Sequence, residues 1–544
     1  MSKMSYLIQD FILNAARNRP DAEALVYAGQ RLTYAELASA VGNAAEVFLA
    51  AGLGGGERVA IYLEKRIETV IAMFGVAAAG GVFVPINPLL KAEQVAHILR
   101  DCEVGMLLTS VERFAPMQAV LQQCVGLRAV FVCGAKADTS NKANTADIAH
   151  TDGLMARCWA ASAAPTSAPS LRPPHRRIDT DVAAILYTSG STGKPKGVIL
   201  SHRNLVAGAT SVASYLELCA QDRVLAVLPL SFDYGLSQLT SAFHVGAAVV
   251  LLNYLLPRDI VDIVEAERVT GLSAVPPLWN QLAKLAWPQP SSLRYLTNSG
   301  GSMPLATIAA LGAALPAAQL FLMYGLTEAF RSTYLPPSEL ARRPDSIGRA
   351  VPNADILVVR PDGTLCDDDE AGELVHRGAL VALGYWNDAA KTAERFRPAP
   401  GSAAGLPLAE IAVWSGDTVR RDKEGYLYFI ARNDALIKVS GYRISPTEIE
   451  EVAYASGLVE EAVAFGVPHA QLGQAIVLLA VASGAANADA EQLLMVCRRQ
   501  LPAFMVPAHV GLRSTQFPRN PNGKIDRARL QRQYLSQLEE AAAP

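Results

Sequence analysis

"YTSGSTGKPKGV", Tyr187 to Val198, decides how the chain reads. It packs three glycines, four serine or threonine hydroxyls and two lysines into twelve residues. The preceding "AAILYT" reads as a buried strand. A turn after such a strand offers backbone N–H groups, hydroxyls and cations to an anion. The familiar nucleotide loop, G-x-x-x-x-G-K-[ST], does not fit. It would need glycine where Thr188 stands, and Lys194 is followed by Pro195 rather than by a hydroxyl residue. Proline there disfavours helical geometry at Lys194, so a helix N-terminus behind the phosphates is not expected. The bland alternative is a Gly/Ser surface turn, which needs neither two lysines nor so many hydroxyls.

Outward from this loop, strand-like runs alternate with helical periodicity. "RVAIYL", "GVFVPIN", "VGMLLT" and "RAVFV" precede it, and "DRVLAVLP", "AAVVLLN", "GLSAVPP" and "LRYLTNSGG" follow. That alternation implies parallel sheets with crossover helices. After "ADILVVRPDGT" the texture becomes β-rich with turns. A last segment from about Asp434, with Ser445 as a helix cap before an acidic first turn, reads as a small α+β domain. The expected fold class is therefore α/β. A large N-terminal domain, residues 1–433, has layered α/β subdomains and a β-rich subdomain; a small mobile α+β lid spans 434–544. Residues 134–180, rich in Ala, Ser, Thr, Pro and Asn, read as a surface insert or linker.

Bulk properties exclude several classes. The 544 residues are 51% hydrophobic and 18% charged, with a net charge of −3 spread over both signs. Nothing in that balance suggests a nucleic-acid or membrane-surface partner. Seven scattered cysteines without C-x-x-C argue against a disulfide framework or structural zinc and for a reducing compartment. The uncharged run Val70 to Ile86 is broken by Gly80-Gly81 and ended by Pro85, so it reads as a buried helix, a turn and a strand, not a membrane span. No targeting or spanning segment is evident, and the expected location is cytoplasmic.

"YTSGSTGKPKGVILSH" resembles the phosphate loop of the adenylate-forming superfamily: acyl-CoA synthetases, adenylation domains of peptide synthetases, and luciferases. Further motifs follow in that family's order. "YGLTEAF" resembles its Y-G-x-T-E segment, "NSGGSMP" its glycine-rich strand end, "VWSGDTVR" its ribose-binding aspartate and "IARNDALIKVSGYRISPTEIE" its hinge. "RNPNGKIDR" resembles its terminal catalytic motif. One departure is Ala431, where the family usually has glycine. The texture around "SFDYGLSQLTSAFHVGA" and "MYGLTEAFRSTYLPP" is also similar to AMP-forming acyl-CoA ligases of the exosortase-associated type.

The resemblance implies ATP, Mg²⁺ and a pantetheine thiol, either coenzyme A or a carrier protein's phosphopantetheine, as cofactors or co-substrates. It implies Thr188, Ser189, Gly190, Ser191, Thr192, Gly193, Lys194 and Lys196 on the phosphates, Gly300 in the strand end lining the adenine and acyl pocket, and Tyr324 among the cofactor-binding residues. Thr327 falls on the α-phosphate, Glu328 on the metal, and Asp417 and Arg432 at the ribose. Arg443 aligns with a phosphate-contacting arginine, Asp434 with the hinge and Gly441 with the thiol tunnel. Lys524 aligns with the lysine that bridges carboxylate and α-phosphate. The implied reaction is adenylation of a carboxylic acid with release of pyrophosphate, then transfer to a thiol as the lid swings about Asp434.

For the acid itself, the sequence offers Phe232 as a gate and Asp233 beside it. In amino-acid-activating relatives the counterpart of Asp233 holds an α-ammonium, and a carboxylate in an apolar run is costly unless paired. Alternatively, Asp233 caps its helix or pairs with a nearby base. Two function readings therefore stand: an acyl-CoA synthetase-like acid:thiol ligase, or an amino-acid adenylating enzyme loading a stand-alone acyl or peptidyl carrier protein. A conventional NTPase is disfavoured by the broken nucleotide loop, and a non-catalytic binding protein by the presence of Lys524, Glu328 and Asp417.

Overall fold

The computed structural model describes residues 4–134, 147–151, 154–159, 174–188, 195–401, 405, 407–432, 437–439, 442–469, 472–483, 489–501, 503–521 and 523–542. The expected α/β architecture is present as four sheets. The first has nine strands, with a parallel centre running through Gln319–Tyr324, Tyr295–Asn298, Gly271–Ala274, Arg223–Ala226, Ala248–Leu251 and Glu23–Tyr27. The second, also nine-stranded, is parallel from Val182–Thr188 through Val82–Pro85, Arg58–Tyr62 and Met106–Ser110 to Ala129–Cys133. Helices Tyr34–Ala50, Ile67–Ala79 and Asp233–Val245 contribute to one core with residues of both sheets, such as Leu25 and Val249 of the first and Val59 and Phe83 of the second. Both faces of each parallel strand are thereby covered, as such sheets require.

The helix Ile67–Ala79 is buried nearly all round, which is the signature of a core helix. It ends at Gly80, whose φ of +84° is left-handed and where a Cβ would sit 2.5 Å from the His175 carbonyl. Among the described residues no helix is long and apolar enough to cross a membrane.

A third, five-stranded sheet is built from strands between Ala354 and Arg432, and a fourth from strands between Ile437 and Arg513. The apolar clusters of the fourth sheet and its helices draw only on residues from Ile437 onward. Those of the other three sheets end at Phe429. Separate cores are what a separate domain requires. The expected boundary at 433/434 falls outside the described residues.

Two expectations need correction. Segment 134–180 is not only an insert: Asp147–Thr151 and Leu154–Cys158 pair onto the edge of the second sheet, the latter parallel to Ala129–Cys133, and Trp159 is buried in the core. Ser445 stands at a helix start, yet its side chain makes no capping hydrogen bond; its hydroxyl is buried without a partner among the described residues.

Candidate active site

The phosphate loop is framed by an antiparallel pair. Val182–Thr188 runs into it and Lys196–Ser201 runs out, with Thr188 opposite Lys196. The chain leaves as a strand, so the expected lack of a helix behind Lys194 holds at Pro195. Ser189, Gly190, Ser191, Thr192, Gly193 and Lys194 lie outside the described residues.

Thr188 and Lys196 open onto a cleft of about 1030 Å³ between the two cores. The same cleft is lined by Phe232, Asp233, Gly300, Tyr324, Thr327 and Glu328, and by Asp417, Arg432 and Lys524. Residues spread over more than 330 positions of sequence thus meet in one place. Asp434 and Gly441 lie outside the described residues. For Arg443 only its place in the strand Tyr442–Ile444 is described.

On one wall, parallel strand ends deliver the polar groups, where ligands of open α/β sheets bind. Tyr324, at the end of its strand, donates from its hydroxyl to Asp417 Oδ2 at 2.5 Å, and Arg432 Nε lies 3.3 Å from Asp417 Oδ1. Asp417 and Arg432 are cross-strand partners, so the pair is set by sheet register. Burial, and next the charge of Asp417, push the Tyr324 hydroxyl well above its ordinary pKa, so it remains a donor.

Glu328 follows in a short 3₁₀ turn, Thr327–Ala329. Its Oε1 accepts from the Tyr385 hydroxyl at 2.5 Å, and Lys196 Nζ lies 5.7 Å from the Tyr385 ring centre. Burial first and the Glu328 carboxylate second raise the Tyr385 pKa. Sequence reading missed Tyr385; "ALGYWN" carries no sign of a partner 57 residues earlier. Among the described residues no three His, Cys, Asp or Glu side chains cluster as a metal cage. A lone carboxylate flanked by hydroxyls fits instead a hard cation held mainly by substrate phosphates.

Lys524 enters from the other side. Its turn is tied by Asn520, whose Oδ1 accepts from the Lys524 amide at 3.0 Å and whose own amide donates to the Lys524 carbonyl at 2.8 Å. Two carboxylates of the small domain brace the loop. Glu461 pairs with Arg519 and accepts from the Phe517 amide at 2.9 Å, and Glu450 pairs with Arg527 at 2.5 Å. The lysine reaches into the cleft, with Nζ 5.7 Å from the Phe232 ring centre. Gly300 makes the approach possible. Its φ is +89°, and a Cβ there would stand 2.8 Å from Lys524 Cε. Burial lowers the Lys524 pKa; the Asp233 charge opposes that shift, and Arg432 adds to it.

Asp233 is buried at 4% exposure, with both oxygens engaged. Oδ1 accepts from Thr327 Oγ1 and Oδ2 from Arg331 Nη1, each at 3.1 Å. The nearby base left open by the sequence is Arg331, itself 1% exposed, stacked 4.6 Å from the Tyr234 ring centre. Of the two alternatives offered for Asp233, the pair with a nearby base is the one present, its Oδ2 being held by the Arg331 guanidinium. Arg331 was findable, being a lone charge in the apolar run "AFRSTYL". It is aimed by Phe330, whose φ of +55° is strained for a non-glycine residue and whose ring packs where Gly208 lacks a side chain.

Similarity to known proteins runs nearly the length of the chain. The long-chain-fatty-acid–CoA ligase of Bacillus subtilis (strain 168) is 27% identical over 96% of this chain and 94% of its own length. The sulfoacetate–CoA ligase of Cupriavidus necator is 30% identical over 92% of each. One component of the linear gramicidin synthase of Brevibacillus parabrevis is also 30% identical over 96% of this chain, which spans 6% of that much longer protein. Among solved structures, ATP-bound MatB from Rhodopseudomonas palustris superposes with a TM-score of 0.83 at 26% identity, covering 97% of this chain and 99% of that one. Residues 448–524 match the AMP-binding enzyme C-terminal domain, and residues 12–386 match the AMP-binding enzyme family. With the cleft and these matches together, the chain belongs to the AMP-binding enzyme family.

Proposed function

We propose that this chain is an AMP-forming acid:thiol ligase, an acyl-CoA synthetase-like enzyme. It would adenylate a carboxylic acid with ATP and pass the acyl group to the pantetheine thiol of coenzyme A. One observation carries the reading: Lys524, from a domain with its own core, lies in the same cleft as Thr188, Glu328 and Asp417. The names of the two CoA ligases support the thiol. The likeness to a linear gramicidin synthase keeps a carrier protein as the alternative acceptor, but the Asp233–Arg331 pair speaks against an amino acid as the acid.

In this reading a carboxylate oxygen of the acid bonds to the α-phosphorus as the bond to pyrophosphate breaks. Two anions must approach each other, so the site has to cancel charge and align them. Lys524 supplies the cation between them. Thr188, Lys196 and the loop Ser189 to Lys194 would hold the phosphates, with Thr327 and Arg443 on the α-phosphate. Asp417 and Arg432 would hold the ribose. Glu328, oriented by Tyr385, would hold Mg²⁺, which when bound draws charge off the phosphate oxygens. The thiol then attacks the acyl carbon and releases AMP.

The division at 433/434, rotation of the lid about Asp434 and presentation of Gly441 to the thiol belong to the same proposal. Contacts between the two parts include Asn87 Nδ2 donating to the Pro521 carbonyl at 2.7 Å and an exposed Lys284–Glu460 pair at 2.8 Å. Exposed pairs are worth about 0–1 kcal/mol, so a swing that breaks one costs little. A cytoplasmic setting is proposed with it, supported by seven cysteines none of which is in a disulfide. The deciding assay follows product identity across a panel of acids with and without coenzyme A. AMP and pyrophosphate are expected; ADP and phosphate would overturn the reading.

A further inference from the structure

Behind the main cleft lies a small chamber of about 20 Å³. That is room for one water-sized group and too little for a hydrocarbon tail. Met323 lines both spaces. Its flexible thioether accepts from the Tyr215 hydroxyl at 3.0 Å.

The chamber wall is mostly apolar but carries buried polar side chains that a fatty-acid pocket would not need. Arg331, Gln238 and Ser241 all stand on it. Arg331 uses Nη1 on Asp233 and on the Phe330 carbonyl, and its Nε and Nη2 have no hydrogen-bond partner among the described residues. Gln238, 5% exposed, donates Nε2 to the Leu225 carbonyl at 2.8 Å. That bond fixes the amide orientation and leaves Oε1 as an unpartnered acceptor among the described residues. Ser241 lies one helical turn further on, 2% exposed, its hydroxyl likewise without a partner there. Buried polar atoms are almost always satisfied, so several unsatisfied ones around one chamber mark a place completed by a water or by a polar group of a ligand.

Resting on the ligase reading above, we infer that this chamber receives the far end of the acid, and that this end is a hydroxyl group. A hydroxyl accepts from the Arg331 N–H groups and donates to Gln238 Oε1. A methyl group does neither. A second carboxylate accepts from Arg331, but it faces the lone pairs of Gln238 Oε1 and sets another negative charge beside the one Arg331 already carries on Asp233. An ammonium would face the guanidinium. The substrate class is thus the hydroxy acids, with Arg331, Gln238 and Ser241 as specificity-determining residues.

The test measures pyrophosphate release, as kcat/KM, from ω-hydroxy acids, unsubstituted acids of equal length and dicarboxylates. At the matching chain length the hydroxy acid is expected to exceed its unsubstituted partner about ten- to a hundredfold, because a site built for a hydroxyl rejects the analogue lacking it. Gln238→Leu and Ser241→Ala should each bring that ratio down toward unity. The ratio is read rather than the rate, so damaged packing alone does not mimic the effect. Unsubstituted acids or dicarboxylates preferred at every length, or a ratio unmoved in both variants, overturns the inference and leaves the ligase reading standing. Pyrophosphate release from no acid at all overturns both.

Discussion

Glu328 and Asp233 lie in one cleft and are put to opposite use. Glu328 is held through one oxygen by a neutral hydroxyl, that of Tyr385, which stays protonated because its pKa is raised. Its charge remains available to something entering the cleft. Asp233 is sealed at 4% exposure, with one oxygen on Thr327 and the other on the Arg331 guanidinium. Its charge is consumed inside the protein. In the half of the cleft proposed for the nucleotide Glu328 is thus left open to a ligand, whereas in the half proposed for the acid Asp233 holds an arginine. Residue type alone does not assign a role; the partner already in place does.

The largest effect should come from breaking the consumed pair. Asp233→Ala leaves Arg331 as a buried charge with no counter-ion, which typically destabilises by about 3–5 kcal/mol. Glu328→Gln, by contrast, should change stability by no more than about 0.5 kcal/mol. Urea unfolding of both variants checks the comparison, and equal losses would erase the distinction. The milder Asp233→Asn carries a pH signature. In the proposed reaction Lys524 acts as an ammonium; burial lowers its pKa and Asp233 opposes that shift. Adenylation should therefore fall as pH rises, earlier than for an ordinary lysine near about 10.4. Removing the Asp233 charge should move that alkaline limb to still lower pH.

Next in size is Lys524→Ala. Losing a preorganised cation at the point where charge develops costs about a hundred- to a thousandfold. The loss should appear in pyrophosphate release, while thioester formation from supplied acyl-adenylate is spared if, as proposed, the lid carries the lysine away before the thiol attacks. Equal loss in both half-reactions would mean one fixed arrangement, and the contrast between the halves would then say nothing about order of events.

Legibility in the sequence follows the same divide. The nucleotide half could be read because each contribution sits in a short continuous stretch at a strand end: "YGLTEAF" holds Tyr324, Thr327 and Glu328, and "VWSGDTVR" holds Asp417. The core strands were legible too, being continuous apolar runs buried on both faces. The acid half was only partly so, since its decisive pair, Asp233 and Arg331, spans 98 residues and each member alone is an unexplained charge in an apolar run. Strands Asp147–Thr151 and Leu154–Cys158 escaped notice because "DIAHT" and "LMARC" lack the apolar continuity of central strands; edge pairing does not demand it.

The smallest effect tests how Glu328 is offered. Tyr385 touches the carboxylate and not the reacting atoms, so it is a positioning residue. Tyr385→Phe keeps the ring under Lys196 and removes one hydrogen bond to a charged group, worth about 1.5 kcal/mol or roughly tenfold. If Glu328 is poised for a cation, the loss should appear as a rise in the Mg²⁺ concentration giving half-maximal adenylation, with unfolding midpoint and thiol transfer little changed. A structural role for the tyrosine would instead lower the midpoint and leave the Mg²⁺ requirement where it was. In that case Glu328, like Asp233, would be serving the fold rather than the ligand.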